Sequence, residues 1–457
     1  LRALSPLGVQ LRLREHEAGL EEPVRLAHGY ARTIGKPERS SKHALLRTRP
    51  GSHSLSGVRL GLSIAGYSRR RPEFENRGPQ RQQFAIQSDG KLVVVGTSFN
   101  YDFHVARYNS NGTLDTTFGV NGVVTTDLRN TIYGTTTGNS TEEAFNIAVQ
   151  ADGKILAAGY YWNTVTQTST DDIAVVRYLT NGSVDTSFGT NGVALASVFK
   201  SGNAVSERGY GMAIQSDGKI VVVGEYMQDS NVGDYVTVRF TAAGAMDTSF
   251  AGTGYVITSL TSSQDVARDV AIDSNGKIVV AGDRGNTGDI NFGIIRYNTN
   301  GTADTSFGPS GIRSVSFSTN TDRAYGVAIG ASNKVVVGGY RYTTATNADF
   351  ALARLNSSGT LDTTFDSDGK VTTDFGAADP GSDVMIQSDG KIVMVGTAGV
   401  QGFGVSRYNT NGSLDATFGS GGKVITPGTI SARAGLIQSD GKIVAAGGNY
   451  IVRYLGQ

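Results

Sequence analysis

The chain of 457 residues has no cysteine, one tryptophan, five histidines and nine prolines. The missing cysteines exclude disulfides, thiolate nucleophiles and Cys-ligated zinc, and they leave no trace of a redox compartment. Four of the histidines precede residue 84, so His104 is the single imidazole beyond it. A Ser-His-Asp triad or a His-rich metal site therefore has little material. His104 stands where other copies of its segment carry Ala, Gly or Val, which reads as packing. No run of about 18 apolar residues occurs, so no membrane-spanning helix is expected. The opening LRALSPLGVQLRLREHEAG has no continuous apolar stretch of the kind a signal peptide needs, and it begins with Leu, so a true start is expected upstream.

Aspartate is missing in a more telling way. Residues 1–83 hold 16 Lys+Arg against 7 Glu and no Asp, a net charge of +9; residues 84–457 hold 25 Lys+Arg against 33 Asp+Glu, a net of −8. Two different segments are joined near Gln83. For 1–83 three readings compete: a disordered basic extension, a tail whose Arg69-Arg70-Arg71 cluster suits the phosphates of nucleic acid, and a stretch that is not native coding sequence, joined by a wrong start or a shifted frame. The absence of Asp favours the last, and nucleic-acid binding ranks lowest.

What is abundant is glycine, 61 residues with no collagen period, placed at recurring sites that read as turns. IQSDGKLVVVG returns as VQADGKILAAG, IQSDGKIVVVG, IDSNGKIVVAG, IGASNKVVVGG, IQSDGKIVMVG and IQSDGKIVAAG. Its lysines are Lys91, Lys154, Lys219, Lys277, Lys334, Lys391 and Lys442, spaced 63, 65, 58, 57, 57 and 51 residues apart, which is the period of a repeat array. Each unit reads as four short strands joined by tight turns. Two apolar runs flank Ser-Asp-Gly, where Asp starts a turn and Gly takes the left-handed conformation; Asn333 replaces that Gly in the fifth copy, as a positive φ allows. A third run such as FHVARY follows, then an Asn-Gly turn, LDTTFG, and a fourth run such as VVTTDL. The second and third runs are apolar on both faces, as in sheets covered on both sides. The fold class is therefore all-β, a seven-bladed β-propeller of four-stranded antiparallel blades over residues 84–457.

The phrase IQSDGK(I/L)VV.G…RY…NG.LDT(T/S)FG resembles the delta-60 repeat, a bacterial family whose members are regarded as β-propellers, and the resemblance covers residues 84–457 in seven copies. It implies a fold and hardly any function. Ala251 and Asp366 depart from the pattern by replacing the Gly after the Phe. Only six copies carry a fourth strand. The segment that completes the seventh should lie just upstream of residue 84, with VRLGLSIAG (58–66) as the best candidate. It lacks the family's VxTxx look, so a poorly matched or absent closing strand is expected.

Within each unit an Arg is followed eight residues later by an Asp and three further on by a Phe. The pairs are Arg107 and Asp115, Arg177 and Asp185, Arg239 and Asp247, Arg296 and Asp304, Arg354 and Asp362, and Arg407 and Asp415. Six copies at constant spacing point to architectural ion pairs, with the Phe as a plug between blades. No cofactor motif is present. Asp366 and Asp368 come nearest to a calcium loop but fail the D-x-D-x-D-G order, so no metal site is expected.

Loops after the first and third strands hardly vary between copies, whereas those after the second and fourth vary greatly, which gives the disc one uniform and one individual face. Tyr160, Tyr161, Trp162, Tyr226, Tyr340 and Tyr342 fall on the individual face with the acidic pair Asp171-Asp172. Amphipathic rings on rigidly held loops suit a glycan or a protein partner. The expectation is a non-catalytic binding or scaffolding module at a bacterial surface or outside the cell. The alternatives are a glycan-cleaving hydrolase or lyase using carboxylates on that face, and a purely structural surface protein.

Overall fold

In the computed structural model the described residues are 57–61 and 83–457, apart from 99, 136–140, 164–169, 197, 201–202, 228–232, 287–288, 345, 400–401, 429–430, 449 and 456–457. The readings offered for residues 1–83 lie outside the described residues, except for 57–61 and Gln83.

Seven four-stranded antiparallel sheets follow one another along the chain. Blade 1 consists of Phe84–Ile86, Leu92–Thr97, Phe103–Tyr108 and Val123–Thr126. The first strands of blades 2 to 7 are Glu142–Val149, Ser206–Ile214, Val266–Ile272, Asp322–Ile329, Gly381–Ile386 and Ala434–Ile437. First strands of neighbouring blades touch all the way round, including the last against the first, so they form the inner ring.

The seventh blade is closed by the candidate segment: its fourth strand is present, though poorly matched to the repeat, and covers the start of 58–66. Gly57–Gly61 is its fourth strand, antiparallel to Tyr450–Tyr454 with Gly57 opposite Tyr454 and Gly61 opposite Tyr450. Edge pairing needs only backbone donors and acceptors, so a segment without the repeat's vocabulary can serve. The change of composition at residue 83 is thus not the edge of the ring.

Each interface between blades has its own apolar core. Val93, Val95, Phe103 and Phe118 of blade 1 meet Ile155, Ala157 and Val176 of blade 2. At the closure, Phe84, Leu92 and Val94 of blade 1 meet Ala434, Val444 and Ile451 of blade 7. Second and third strands are therefore covered on both faces, which explains their unbroken Val, Ile and Ala. The last Thr of the fourth strand (VTT in blades 1 and 5, VIT in blade 3) reaches into the next blade: Thr126 Oγ1 lies 2.9 Å from Tyr178 Oη, Thr258 Oγ1 2.7 Å from Tyr297 Oη, and Thr373 Oγ1 2.7 Å from Tyr408 Oη.

The first turn behaves as its composition demands, with Gly90 at φ 80 and its replacement Asn333 at φ 54. Among the described residues one α-helix escapes the strand reading, the short Leu128–Tyr133 after the fourth strand of blade 1. Asp127 caps it by accepting from the Asn130 amide, and Gly134 ends it at φ 66.

Candidate functional site

The uniform face is knitted by one motif used six times. Arg107 Nε lies 2.8 Å from Asp115 Oδ2, and the pairs at Arg177, Arg239, Arg296, Arg354 and Arg407 measure 2.7–2.9 Å. Each guanidinium covers its Phe ring at 4.5–4.6 Å. Those rings are buried between neighbouring blades. Arg177 Nη1 also donates to the Ala242 carbonyl of the next blade at 2.8 Å. The turn lysine joins the carboxylate, as Lys391 does with Asp415 at 2.9 Å. Burial pushes the Asp185 carboxyl up, but hydrogen bonds from Ser187 and Lys154 and the Arg177 charge outweigh it and bring it to about 2. With every guanidinium committed and the set repeated in six blades, this face is architecture.

The inner ends of blades 2 to 5 differ. The first strands of blades 2 to 6 each carry an irregularity near the start, where one residue stands outside the pairing register: Phe145, Tyr210, Arg268, Tyr325 and Ser382. A bulge re-aims the side chain it carries, and the four large ones, in blades 2 to 5, meet across blades. Tyr160 stacks on Phe145 with centroids 5.9 Å apart, and Phe145 meets Tyr210 at 5.4 Å. The Arg268 guanidinium lies 5.5 Å from the Tyr210 ring and 5.4 Å from that of Tyr325. Tyr325 stacks on Tyr340 at 5.6 Å, and Tyr340 meets Tyr342 edge-on at 5.4 Å. The result is an arc of rings and guanidiniums spanning four blades.

Its charges are arranged in clusters. Arg208 covers Tyr160 at 4.7 Å and binds Asp171 Oδ2 through Nε at 2.7 Å and Nη2 at 2.6 Å. Arg268 and Arg323 converge on the same oxygen, Asp283 Oδ2, at 2.9 and 3.3 Å. Tyr210 Oη donates to Glu225 Oε2 at 3.3 Å. Burial pushes the Glu143 carboxyl up, against the Tyr160 hydrogen bond and the Arg208 charge, with the Asp171 charge adding to the rise.

The eight residues singled out on this face scatter. Tyr160 and Asp171 are joined through Arg208, and Tyr340 and Tyr342 form the other end of the arc. Trp162 is exposed and pairs in register with Asp171. Asp172 accepts from Thr170 Oγ1 at 3.2 Å. Tyr161 is buried in the core between blades 1 and 2, and Tyr226 in that between blades 2 and 3. Away from the arc, His104 Nδ1 is 3.0 Å from Thr125 Oγ1, and burial holds its imidazole below its usual value.

Two sets of residues went unnoticed in the sequence. One is the five bulge residues, each nine positions before the repeat's Lys. The other is an acid twelve positions before it: Glu142, Glu207, Asp265, Asp322 and Asp379, all fully buried. Asp265 and Asp322 hold the preceding variable loop by accepting from the amides of Leu260 and Thr261, and of Phe317 and Ser318. Counting back from Lys154, Lys219, Lys277, Lys334 and Lys391 would have exposed both.

Six segments, 87–118, 150–188, 215–250, 274–307, 330–365 and 387–418, match a family described as a domain of unknown function (DUF5122) beta-propeller, so the chain is a β-propeller repeat protein. No curated protein matches it in sequence. Similar solved structures include a streptogramin B lyase (11% identity, 82% of this chain and 92% of that one, TM-score 0.46). A polysaccharide lyase, Uly1, is another (12% identity, 86% and 94%, TM-score 0.44). A third is PorZ, a surface component of the type-IX secretion system of Porphyromonas gingivalis (11% identity, 87% and 49%, TM-score 0.41).

Proposed function

We propose that the propeller is a non-catalytic binding module whose ligand is an anionic glycan, taken at the inner end of blades 2 to 5. The observation that carries this reading is the placing of Arg208 and Arg268 over tyrosine rings on one rigid arc, with Arg323 beside Arg268 on the same Asp283 oxygen. The Tyr160, Tyr325 and Tyr340 rings pack against their neighbours and are buried, whereas the arginine side chains keep 17%, 13% and 25% of their surface exposed. What the arc offers a ligand is therefore guanidinium N–H groups backed by aromatic faces, which suits a planar carboxylate or a sulfate better than a neutral sugar. Among the described residues, no helix is long and apolar enough to cross a membrane. We assign the module to a bacterial surface or the outside of the cell on its cysteine-free, Thr/Asn/Gly-rich composition, and its repeat to the delta-60 class on the motif quoted above.

The test is a glycan array probed with the whole chain, followed by titration of hits. Uronate-bearing, sialylated or sulfated glycans should be retained over neutral ones, with retention falling as salt rises. Arg323→Ala should weaken binding at least about tenfold, as the loss of a charge-assisted contact implies. Neutral glycans binding equally well, or affinity indifferent to Arg323→Ala, would sink the proposal. A second reading, a glycan-cleaving hydrolase or lyase, rests on Glu143, whose carboxyl is pushed up beside Tyr160 and Arg208. Released saccharide fragments would favour it; intact glycan favours the module.

A further inference from the structure

The loop joining blades 5 and 6, residues 374–380, is bracketed by acids. Asp374 follows the fourth strand of blade 5, and Asp379 is the buried acid ahead of blade 6. Asp349, on the third strand of blade 5, faces the same point. The three carboxylates each bring an oxygen within 4.8 Å of the others'. Asp379 is fully buried and Asp349 is 5% exposed, yet Oδ1 of each has no hydrogen-bond partner. Oδ2 of Asp379 is committed, accepting from the Phe375 amide at 2.6 Å and the Ala377 amide at 3.3 Å. The Gly399 amide also acts on this carboxylate, without hydrogen-bond geometry at Oδ1. Oδ2 of Asp349 faces Arg341 Nη2 at 3.3 Å.

Two buried acceptor oxygens without donors, beside a third carboxylate, are costly unless something positive lies between them. One guanidinium at the rim of Asp349, with the Lys423 ammonium spent on the Asp374 carbonyl at 3.0 Å, does not balance three acids. Oxygens on a single Ca2+, each about 2.3–2.6 Å from it, lie at most about 5 Å apart, and carboxylates on flexible loops suit that ion's irregular shell.

We propose that Asp349, Asp374 and Asp379 bind a calcium ion that pins the loop between blades 5 and 6 to the third strand of blade 5. The same acid set recurs at the junction of blades 1 and 2 as Asp102, Asp127 and Glu142. There Asp102 accepts from Ser98 Oγ at 2.9 Å and Asp127 from the Asn130 amide at 2.9 Å, and the loop carries the buried Arg129. The proposal is confined to the 5–6 junction. Between blades 3 and 4, and 4 and 5, serine stands in place of Asp374, as Ser259 and Ser316.

The whole chain, stripped of divalent ions by a chelator, is titrated with CaCl2 and separately with MgCl2, by calorimetry and by thermal melting. Calcium should bind at one site with a dissociation constant below about 1 mM, more tightly than magnesium, and raise the Tm as its concentration rises. Asp374→Asn, at an exposed side chain, should weaken binding at least about tenfold and leave the calcium-free Tm nearly unchanged; Asp349→Asn is the second test should that variant misfold. Asp127→Asn should leave the affinity as it was. No heat or Tm shift at about 10 mM calcium, equal binding of magnesium, or affinity that follows Asp127 rather than Asp374, overturns the assignment.

Discussion

The two faces of this disc are built from the same repeat, yet they answer to different rules. On the uniform face six of the seven blades spend the same four groups, Arg, Asp, Phe and Lys, on holding a neighbour, and their geometry scarcely changes from copy to copy. On the individual face a first-strand bulge projects whatever residue occupies one position, and the four blades of the arc use it for Phe145, Tyr210, Arg268 and Tyr325. A ring of equal wedges gives every position seven chances to vary. Where variation would unseat a neighbour it is absent; where a side chain points to the mouth of the ring it is free. Stability and recognition are thereby assigned to opposite ends of the same strands.

That division is open to attack by experiment. The largest effect should come from Arg177→Ala. It leaves the buried Asp185 with Lys154 at 3.3 Å as its one remaining cation, and should cost about 3 kcal/mol in denaturant unfolding. If it costs under about 1 kcal/mol, the motif is decoration. Arg208→Ala removes a guanidinium of similar chemistry from the individual face. It should lower stability less, by about 1 kcal/mol, while reducing anionic-glycan affinity about tenfold or more. Equal losses of stability for the two variants would erase the distinction.

Acid should separate the faces by sign. Asp185 titrates in the folded chain at about 2, below its unfolded value near 4, so its contribution is present above pH 4 and lost as pH falls towards 2. Asp265 and Asp322 are shifted the other way, chiefly by burial. Their folded forms hold protons more tightly than the unfolded chain, so they oppose folding as pH rises above about 4. Melting curves from pH 2 to 7 for the parent, Asp185→Asn and Asp322→Asn should show the first variant flattening the acid limb and the second flattening the rise of instability towards neutrality. Smallest of all, Ala251 sits at φ 55 where four of the six copies have Gly, and Ala251→Gly should gain up to about 1 kcal/mol, seen as a modest rise in Tm.

The sequence speaks clearly where repetition is enforced by packing. Strand runs, the turn at Gly90 and its Asn333 variant, and the Arg-to-Asp spacing each correspond to a feature of the folded chain, because every wedge needs them. The arc is harder to read because its chemistry depends on contacts between residues about 60 positions apart. Tyr160, Asp171, Tyr340 and Tyr342 stand out as unusual residues in variable loops, but nothing local tells that Tyr161 turns into the core while Tyr160 turns to Arg208; alternation along the strand decides it. Gly57–Gly61 was legible only as a candidate within 58–66, since a strand that pairs on one side only needs little sequence identity of its own.

That last strand sets a timetable for the molecule. Gly57–Gly61 is synthesised before the wheel begins, but its partner Tyr450–Tyr454 follows only after six further blades. Until then the growing arc carries an unsatisfied border at each extremity, and the latch has nothing to grip before residues 450–454 leave the ribosome. Stalling or truncation ahead of those residues would leave six finished wedges with sticky margins, a species prone to join its own kind edge to edge.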